Sequence, residues 1–491
     1  MKKNSCLVIL FFVCAFNLSA QTKPDSTYKY LWMNYDLNYI QFYERDVLKA
    51  FSEKWKQTGV KKMCIVHMGD SHVQSDILPG EVRNILQPIL GYGGRGMIFP
   101  YSAAKSYSSI YYKSTHTGIW EFSKSYLPEI TLPLGVSGMT VKTLDSNASF
   151  TINFNSSLPE HYLKIKFYCK KESSCYDFII NAGGNPIKIN VDSSIYKNKP
   201  YIEIDVPAIS TSISVQLVES DTSQHQFEFY GMDLESNMNT GLVVHSVGVG
   251  ASQYRAILRQ ELIVEQLQEL EPDMVILDWG TNDYLYDDKI KDSLENTIVK
   301  VIEKVRRAAP NTTILLTTTM DMFWKKHNVK SGMQFSDLIR KIAKEQNCAF
   351  WDWYWISGGS GMMLYFRDNG LATDMVHLTQ KGYKMKGKLL TDAMIGTLKL
   401  MEENNNLDSL IFKIDYLKEK QNGTVPDSLQ NKKSVPGTSK IYYHKVVKGE
   451  SMSVIAKKYA VTTKQVMLWN NMKSSKIKIG QVLIVYTKKK M

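Results

Sequence analysis

Apolar residues recur along this chain at two spacings, one typical of helices packed on a parallel sheet and one typical of half-exposed β-sheets. Residues 38–57 carry apolar positions at helical spacing, and residues 63–68 form an apolar run that ends at Gly69, as a buried strand does. From residue 241, apolar runs alternate with amphipathic stretches, which predicts a parallel sheet with helices on both faces. The predicted strands are 242–244, 274–277, 313–318 and 349–353, and the predicted helices are 253–270, 292–309, 333–346 and 379–401.

Between residues 110 and 235 the apolar and polar positions alternate with a period of two. Polar turns separate the alternating segments, which are 150–154, 163–167, 187–191, 201–206, 213–217 and 227–229. Short alternating strands of this kind predict a β-sandwich. Because the α/β pattern resumes after it, the sandwich is expected to be an insertion within the α/β domain.

The composition is that of a globular protein, and the positive charge lies at the two ends. Hydrophobic residues make up 44% and charged residues 22% of the 491 positions, which excludes disorder, collagen and coiled coil as descriptions of the whole chain. The formal net charge is +12, and residues 441–491 alone hold eleven Lys and one acid. Residues 4–440 are neutral as a set. This distribution predicts a basic C-terminal module with an anionic partner, and no nucleic-acid-binding body.

The N-terminus has the features of an export signal. Two lysines precede an apolar run over residues 6–16, and Ala20 is a small residue suited to cleavage before Gln21. The apolar run is too short to span a bilayer comfortably. We therefore expect a signal peptide at residues 1–20 and no stable membrane span after its cleavage; the alternative is an uncleaved membrane anchor.

Four cysteines remain after this cleavage. Cys169 and Cys175 flank a polar segment between two strand-like runs, so a disulfide across a hairpin is expected in an oxidising compartment. Cys64 and Cys348 lie in apolar runs and are expected to be buried thiols. No pair of cysteines has the spacing of a zinc site.

Four polar segments lie where an open parallel sheet places its active site, and they are residues 67–72, 245–250, 279–283 and 374–377. The hydroxyl of Ser71 is a weak nucleophile that needs a base such as His377, and the carboxylate of Asp374 is placed to hold that imidazole in one tautomer. The backbone N–H groups of Ser71 and Gly248 and the side-chain amide of Asn282 are candidate donors to an oxyanion. Each segment alone is an ordinary turn, but the four in this order favour catalysis.

Through these segments the sequence resembles the SGNH, or GDSL-type, hydrolase superfamily. Gly69-Asp70-Ser71 looks like its nucleophile block and Gly248 like its oxyanion glycine. Gly280–Asp283 looks like its Gly-x-Asn-Asp block and Asp374–His377 like its terminal block. The resemblance covers about residues 60–400 and is closest to peptidoglycan O-acetylesterases, which also carry a β-rich insertion between the first two blocks.

This resemblance implies a flavodoxin-like three-layer α/β/α fold and a Ser-His-Asp esterase that uses neither a metal nor another cofactor. Three positions depart from the superfamily pattern. His72 stands where the GDSL name has Leu, Ser246 where many members have Asn, and Ala251 where many have a second Gly. The last two departures concern the shape of the segment around Gly248.

Other motifs near the site compete with this interpretation. Residues 91–96 have the glycine spacing of dinucleotide binding, but no helix follows them to meet a phosphate, so a flexible loop with Arg95 as a substrate contact is expected. A zinc site is an alternative for three nearby histidines, although packed or hydrogen-bonded rings are favoured: His67, His72 and His245. Three tryptophans spaced by two are expected on a strand, as core and pocket wall: Trp351, Trp353 and Trp355.

The last segment of the chain predicts a small βααβ unit, and it resembles a LysM domain across nearly its whole length. The matching features are Val447–Ser451, Ile455-Ala456, Trp469-Asn470 and Ile479–Leu483. The resemblance implies binding of glycans that contain N-acetylglucosamine, such as peptidoglycan and chitin, in a groove between two loops. The residues carried over to that groove are Gly449, Glu450, Ser451, Met452, Asn471, Met472 and Ile477. The alternative is a basic unit that only confers solubility.

Together these patterns predict an exported serine esterase, periplasmic or associated with the cell wall, that removes O-acetyl groups from peptidoglycan. Its expected parts are a signal peptide (1–20), a hydrolase domain in two parts (21–110 and 237–401), an inserted β-sandwich (111–236), a linker (402–440) and a LysM domain (441–487). The insertion is either a carbohydrate-binding surface or a shield over the active site. Two other functions stay open: a deacetylase of another polysaccharide or a short-chain acyl esterase, and a non-enzymatic peptidoglycan-binding protein with a degenerate hydrolase body.

Overall fold

A computed structural model describes residues 30–209, 211–415, 417–418, 421, 440–447, 449–469, 472, 474–478 and 481–487. The predicted signal peptide lies outside the described residues, as does much of the predicted linker. Contacts within the chain divide it into two compact units, residues 1–423 and 424–491, and each is described by itself. No helix among the described residues is both long enough and apolar enough to cross a membrane.

The first unit opens with an α/β segment, continues through a run of strands and returns to an α/β pattern. The opening elements are helix α1 (Lys49–Lys56), strand β1 (Lys62–Gly69), helices α2 (Ser71–Gln74) and α3 (Ile77–Leu90) and strand β2 (Gly94–Ile98). The run of strands is β3 (Tyr112–Thr117), β4 (Glu121–Lys124), β5 (Met139–Thr143), β6 (Ser149–Phe154), β7 (Lys164–Cys169), β8 (Asp177–Asn181), β9 (Ile187–Ile189), β10 (Ile202–Asp205), β11 (Ser212–Val218) and β12 (Phe227–Glu235). The second α/β stretch is β13 (Gly241–Gly248), α4 (Ile263–Glu269), β14 (Met274–Asp278), α5 (Thr281–Tyr284), α6 (Ser293–Ala308), β15 (Thr313–Thr317), β16 (Phe323–Trp324), β17 (His327–Asn328), α7 (Ser331–Glu345), β18 (Ala349–Trp351), α8 (Trp353–Ile356), α9 (Met362–Asp368) and α10 (Gln380–Glu403).

The centre of the first unit is a five-stranded parallel sheet with the order β13-β1-β14-β15-β18. The first of these strands along the chain lies between the second and the third, which is the doubly wound arrangement of flavodoxin-like folds. Met68 of β1 accordingly pairs with Val247 of β13 on one side and with Leu277 of β14 on the other. This sheet, its helices and the inserted strands confirm the predicted fold class.

Side chains of the parallel sheet alternate between two buried faces, as the period of a strand requires. Ile65 and Ile276 pack with helices α1, α3, α8, α9 and α10 on one face. Val66 and Val275 pack with α4, α6 and α7 on the other. All four side chains are fully buried. Burial on both faces explains why these strands read as continuous apolar runs in the sequence.

The inserted strands form two antiparallel sheets around a shared aromatic core. One sheet has the order β10-β7-β12-β5-β4, with β2 also paired to β12, and the other has the order β3-β6-β11-β8-β9. Phe167 and Phe178 come from different sheets and stack with 4.4 Å between their ring centroids. Strand β2 occupies the glycine-rich segment that was expected to be a flexible loop. Its glycines allow close backbone approach, since a Cβ atom on Gly96 would lie 2.7 Å from the carbonyl oxygen of Val244.

Two predicted helices are shorter than expected because their first residues make other backbone contacts. The helix predicted from residue 38 includes no α-helical residue before Lys49, since the preceding segment forms β-bridges with Phe350 and Leu410. The helix predicted over 253–270 is interrupted at Gln260, whose backbone is extended between a 3₁₀ turn and α4. The three tryptophans are core residues as expected, but only Trp351 lies on a strand, and the other two lie on α8.

The expected disulfide is not formed, and Cys169 and Cys175 are buried free thiols. The flanking strands β7 and β8 belong to different sheets and not to one hairpin. Cys169 pairs with Phe229 of β12, and Cys175 forms a bridge with Gln226. The chain therefore crosses the sandwich at this segment, held by backbone pairing.

A buried ion cluster joins α3 to strand β2. The carboxylate of Asp76 binds the guanidinium group of Arg83 at 3.0 Å and also that of Arg95, and all three residues are at least 95% buried. Although burial opposes its charge, the two guanidinium groups hold the pKa of Asp76 below its usual value. Arg83 also donates to the carbonyl oxygen of Val244 at 3.0 Å. Arg95 is thus part of the fold and is not exposed to a substrate.

The second unit is a βααβ fold with its own small core. Its elements are β19 (Lys440–Lys445), α11 (Met452–Lys458), α12 (Thr463–Trp469) and β20 (Val482–Thr487), and the two strands pair antiparallel. Ser451 caps α11, because its hydroxyl accepts the N–H of Val454 at 3.4 Å. Ile455 and Leu483 are fully buried between the helices and the strands. The predicted order of elements is confirmed.

We expect Asp76→Asn to lower the free energy of unfolding by about 3–5 kcal/mol, because two buried guanidinium groups lose their counter-charge. Chemical denaturation followed by circular dichroism measures the change. The control is Asp392→Asn, which removes an exposed ion pair with Lys388 and should cost less than about 1 kcal/mol. Equal losses in the two variants would contradict a structural role for the cluster.

Candidate active site

Ser71 is the first residue of α2 and follows the carboxyl end of β1 by two positions. Asp70 caps this helix, since its Oδ1 accepts the N–H of His72 at 2.9 Å. Gly69 lets the turn sit against the sheet, because a Cβ atom there would lie 2.6 Å from the carbonyl oxygen of Asp278. The N–H of Ser71 has no acceptor within its own helix. A negative charge that develops beside its hydroxyl would meet that donor.

The structure brings together the three residues predicted as a triad. Ser71 Oγ lies 2.9 Å from His377 Nε2, and His377 Nδ1 lies 2.8 Å from Asp374 Oδ2. The other carboxylate oxygen of Asp374 accepts the N–H groups of Val376 at 3.1 Å and His377 at 2.7 Å. Although partial burial opposes its charge, these hydrogen bonds hold the pKa of Asp374 below its usual value. An imidazole between a hydroxyl and a charged carboxylate is the geometry of general-base activation.

The ring of His72, which follows Ser71 in the chain, packs on the imidazole of His377. Its ring is stacked on that of His377 with 5.1 Å between centroids. Its Nδ1 lies 2.8 Å from Asp70 Oδ1 and its Nε2 lies 3.2 Å from the carbonyl oxygen of Val376. Both ring nitrogens therefore face acceptors, which requires a proton on each. Although burial opposes the charge, the carboxylate of Asp70 raises the pKa of His72.

The predicted oxyanion donors have different surroundings. Both protons of the Asn282 side-chain amide are engaged, one with Asp70 Oδ2 at 3.2 Å and one with the carbonyl oxygen of Ser252 at 3.0 Å. The side chain is half-buried, and it belongs to the short helix α5 at the carboxyl end of β14. Asn282 is therefore in place beside the nucleophile helix, and donation to an oxyanion requires it to exchange one of these partners.

Gly248 lies within strand β13, and Gly250 lies just beyond it. Val249 N–H donates to the carbonyl oxygen of Gly69 at 3.0 Å, so the N–H of Gly248 is directed to the opposite edge of the strand. A Cβ atom on Gly248 would lie 2.2 Å from the backbone nitrogen of Gln74, which makes this glycine necessary for packing against α2. Gly250 is half-buried, and its N–H donates to Gln74 Oε1 at 2.5 Å. The N–H of Gly250 is thus already engaged, and that of Gly248 faces away from β1.

A buried ion network lies beneath the site. Asp278, at the end of β14, binds Lys386 Nζ at 3.1 Å and His67 Nε2 at 3.2 Å. Thr317 Oγ1 donates to the same carboxylate at 2.7 Å. Although burial opposes its charge, Lys386 and His67 hold the pKa of Asp278 well below its usual value. Burial lowers the pKa of His67, and its Nε2 faces the carboxylate of Asp278.

The three histidines considered for zinc point to separate partners. His67 binds Asp278 and His72 binds Asp70, while His245 Nδ1 accepts the backbone N–H of Met97 at 3.2 Å. Burial lowers the pKa of His245 to about 3. Within the described ranges, no group of three His, Cys, Asp or Glu side chains has the arrangement of a metal site.

A two-stranded hairpin, β16 and β17, borders the turn that carries the triad imidazole. The N–H of Phe323 donates to the carbonyl oxygen of Met375, between Asp374 and His377, at 3.0 Å. At the base of the hairpin, Asp321 accepts Asn328 Nδ2 at 2.6 Å and the N–H of Met363 at 3.1 Å. Burial raises the pKa of Asp321 to about 7.

The residues predicted to bind glycan in the second unit are not equally accessible. Gly449 and Ser451 are exposed, whereas Met452 is 2% exposed and belongs to the core. The carboxylate of Glu450 is engaged by His444 Nε2 at 2.7 Å and by the N–H of Val447 at 2.9 Å. Two further residues, Met472 and Ile477, are half-buried against this core. Asn471 lies outside the described residues.

Sequence reasoning named the triad but missed the groups that support it. His72 was noted as a departure from a pattern, with no role assigned to it. Asp278 and Lys386 gave one usable signal, since each is a charge at the edge of an apolar segment that must be paired when buried. The hairpin gave no signal, because its contact with Met375 arises only from the fold.

Comparison with known protein families gives a match to a segment of each unit. Residues 216–385 match the family described as GDSL-like Lipase/Acylhydrolase, and residues 444–485 match the LysM domain. These matches show an ester-hydrolase domain and a LysM domain in one chain. None of the curated proteins compared with the chain matches it.

One solved structure with the same fold is described as a peptidoglycan O-acetylesterase. It is 19% identical, has a TM-score of 0.61, and is matched over 74% of this chain and 99% of its own length. An active-site mutant of a family two carbohydrate esterase from Clostridium thermocellum is 11% identical over 56% of this chain and 98% of its own, with a TM-score of 0.26. A family two carbohydrate esterase from Cellvibrio japonicus is 11% identical over 59% and 98%, with a TM-score of 0.23.

We expect Asp321→Asn to change the melting temperature in a pH-dependent way. A carboxyl whose pKa is about 7 in the folded protein and 3.8 when unperturbed binds more protons folded than unfolded between these values, so its contribution to stability falls as the pH rises through that interval. Asparagine cannot ionise. On going from about pH 5 to about pH 8, the melting temperature of the variant should therefore rise relative to that of the parent. Thermal melts at both pH values measure this change. A constant difference at the two pH values would contradict the shifted pKa.

Proposed function

We propose that this chain, a GDSL-like acylhydrolase joined to a LysM domain, is an exported esterase that removes O-acetyl groups from peptidoglycan. The observation that carries the proposal is the 2.9 Å contact between Ser71 Oγ and His377 Nε2 in a chain that also holds a LysM domain. The fold shared with a peptidoglycan O-acetylesterase supports the choice of substrate. In this proposal the LysM unit binds the glycan, and the hydrolase unit removes acetyl groups from it.

The catalytic residues proposed for this reaction are Ser71, His377 and Asp374. His377 Nε2 takes the proton of the Ser71 hydroxyl as Oγ attacks the acetyl carbonyl carbon. Asp374 holds the ring by its bond to Nδ1 and stabilises the imidazolium that forms. The tetrahedral intermediate collapses as the C–O bond to the sugar breaks, and His377 returns the proton to the sugar oxygen. Water then attacks the acetyl-enzyme with the same base, releasing acetate and restoring Ser71.

Three donors are proposed for the oxyanion of the tetrahedral intermediate. The N–H of Ser71, the first residue of α2, lies beside its own hydroxyl and has no acceptor within that helix. The amide of Asn282 contributes when it exchanges its longer bond, that to Asp70, for the oxyanion. The third donor is the N–H of Gly248, at the end of β13, where the strand packs against α2.

The LysM unit is proposed to hold the enzyme at its substrate. An exposed surface around Gly449 and Ser451 offers backbone and hydroxyl groups for N-acetylglucosamine-containing glycans. The lysines of residues 441–491 add attraction to the carboxylates of stem peptides, which salt screens. Tethering raises the effective concentration of acetylated glycan at the other unit without any further catalytic contact. The predicted signal at residues 1–20 supplies the export that this task requires.

Substitution Ser71→Ala should lower acetate release from O-acetylated peptidoglycan by at least about 10³-fold, because the nucleophile is lost. Acetate is measured enzymatically on the purified mature protein. Ser223→Ala, which removes an exposed hydroxyl bonded only to its neighbour Asp221, serves as the control and should retain full activity. Undiminished release by Ser71→Ala would end the serine mechanism. Activity confined to acetylated xylan or to short acyl esters would replace the proposed substrate.

Deletion of residues 441–491 should abolish co-sedimentation with purified peptidoglycan sacculi. The same truncation should leave hydrolysis of p-nitrophenyl acetate within about twofold of the parent, since the triad lies in the other unit. Binding of the full chain should weaken between about 0.05 M and about 0.5 M salt. Sedimentation of the truncated chain with sacculi at the parental level would contradict the tethering role.

A further inference from the structure

Two exposed aromatic rings from separate segments meet beside the active site. The centroids of Tyr286 and Trp324 are 4.8 Å apart and their planes form an angle of 78°. Tyr286 is 66% exposed and Trp324 is 38% exposed, and among the tryptophans whose side chains are described only Trp324 is exposed. Large aromatic side chains are normally buried, and an exposed group of them with a polar border marks a binding surface.

Trp324 lies on a hairpin that is hydrogen-bonded to the turn of His377, and Tyr286 lies on the segment of Asn282. Trp324 directly follows Phe323, whose N–H binds the carbonyl oxygen of Met375 in the turn of the triad. Consecutive Cα atoms are about 3.8 Å apart, so Trp324 lies next to this turn. Tyr286 follows α5, the helix of Asn282, by two residues. The aromatic pair is therefore positioned by the same two segments that position His377 and Asn282.

The tip of the hairpin adds two positive charges to this surface. Trp324 pairs with His327, so Lys325 and Lys326 alone form the turn, with φ of 48° and 72°. A two-residue turn with both φ positive normally uses Asn-Gly, and lysine is disfavoured there. Both lysines are exposed, and the Nζ of Lys325 lies 6.0 Å from the centroid of the Trp324 ring. The two charges therefore lie on the same hairpin as this ring.

We propose that Tyr286 and Trp324 form a sugar-stacking subsite beside the triad, and that Lys325 and Lys326 bind carboxylates of the same polymer. The apolar C–H face of a pyranose ring packs on an aromatic ring, which supplies contact area at low entropic cost. Lysine supplies a compact charge on a flexible stem, suited to carboxylates whose positions vary along a polymer. The proposal rests on the proposed function, since it takes that polymer to be O-acetylated peptidoglycan. The subsite binds the glycan next to the acetylated residue and selects polymer over small esters.

The test compares kinetics of full-length Trp324→Ala and Trp324→Phe on soluble O-acetylated glycan fragments and on p-nitrophenyl acetate. Trp324→Ala should raise KM for the fragments about 5–10-fold and leave kcat/KM for the small ester within about twofold. Trp324→Phe keeps an aromatic ring and should restore most of the difference. The double variant Lys325→Gln/Lys326→Gln should raise KM at low salt, and this effect should disappear at high salt.

The matched control is Tyr92→Ala. Tyr92 is 43% exposed and forms an aromatic pair with His161, with 6.4 Å between the ring centroids. Its backbone bridges to Leu242 at the amino end of β13, whereas the active site lies at the carboxyl ends of the strands. The Tyr92→Ala substitution should leave the kinetic constants for both substrates unchanged. Every variant keeps the LysM unit, so its contribution is the same throughout.

Four results would overturn the subsite. Equal loss on both substrates in Trp324→Ala would make the ring structural, and no loss on either would remove it from substrate binding. Concentration-dependent self-association that Trp324→Ala abolishes, with unchanged kinetics, would assign the surface to a second copy of the chain. A parent protein that hydrolyses p-nitrophenyl acetate and releases no acetate from the fragments refutes the proposed function, and the subsite with it; that failure is seen before any variant is compared.

Discussion

The carboxylate of Asp70 connects the separate parts of the site. It is 1% exposed and receives hydrogen bonds from the backbone and the ring of His72 on one oxygen and from the amide of Asn282 on the other. A buried charge is stable only with such partners, and these bonds orient each of them in the absence of substrate. One group thereby sets the start of the helix that carries Ser71, the ring stacked on His377, and the amide beside the nucleophile.

Beneath this carboxylate a buried ion pair holds two elements rigidly together, whereas the triad itself is exposed to solvent. Asp278 and Lys386 are paired and nearly fully buried, which fixes the ends of β14 and α10 relative to each other. The side chains of Asp374 and His377 are 57% and 38% exposed. Their turn is held by two contacts, from His72 to Val376 and from Phe323 to Met375. His377 thus lies above a rigidly packed ion pair, and only a few hydrogen bonds set the orientation of its ring.

Periodicity and motif order were sufficient for the fold class and for the residues that meet as a triad, because both depend on local patterns that parallel sheets repeat. They could not show which way the N–H of Gly248 faces, because that direction follows from the pairing of β13 with β1. They also could not place the segment of Arg95, because its burial depends on pairing between β2 and β12, which lie more than 120 residues apart. Nor could they show that Met452 belongs to the core, since side chains at a loop–helix junction are placed by packing.

An exposed triad limits what the protein alone can contribute to rate. Donors and charges act most strongly where water is excluded, and here the imidazole and its carboxylate retain contact with solvent. A polymer lying across the site would exclude that water, whereas a small ester would not. Binding energy from parts of the substrate away from the acetyl group then serves the chemical step, because it both orients the ester and desolvates the catalytic groups. Under the proposed function, contacts beyond the triad account for specificity, and the open geometry of the triad makes those contacts necessary for full activity.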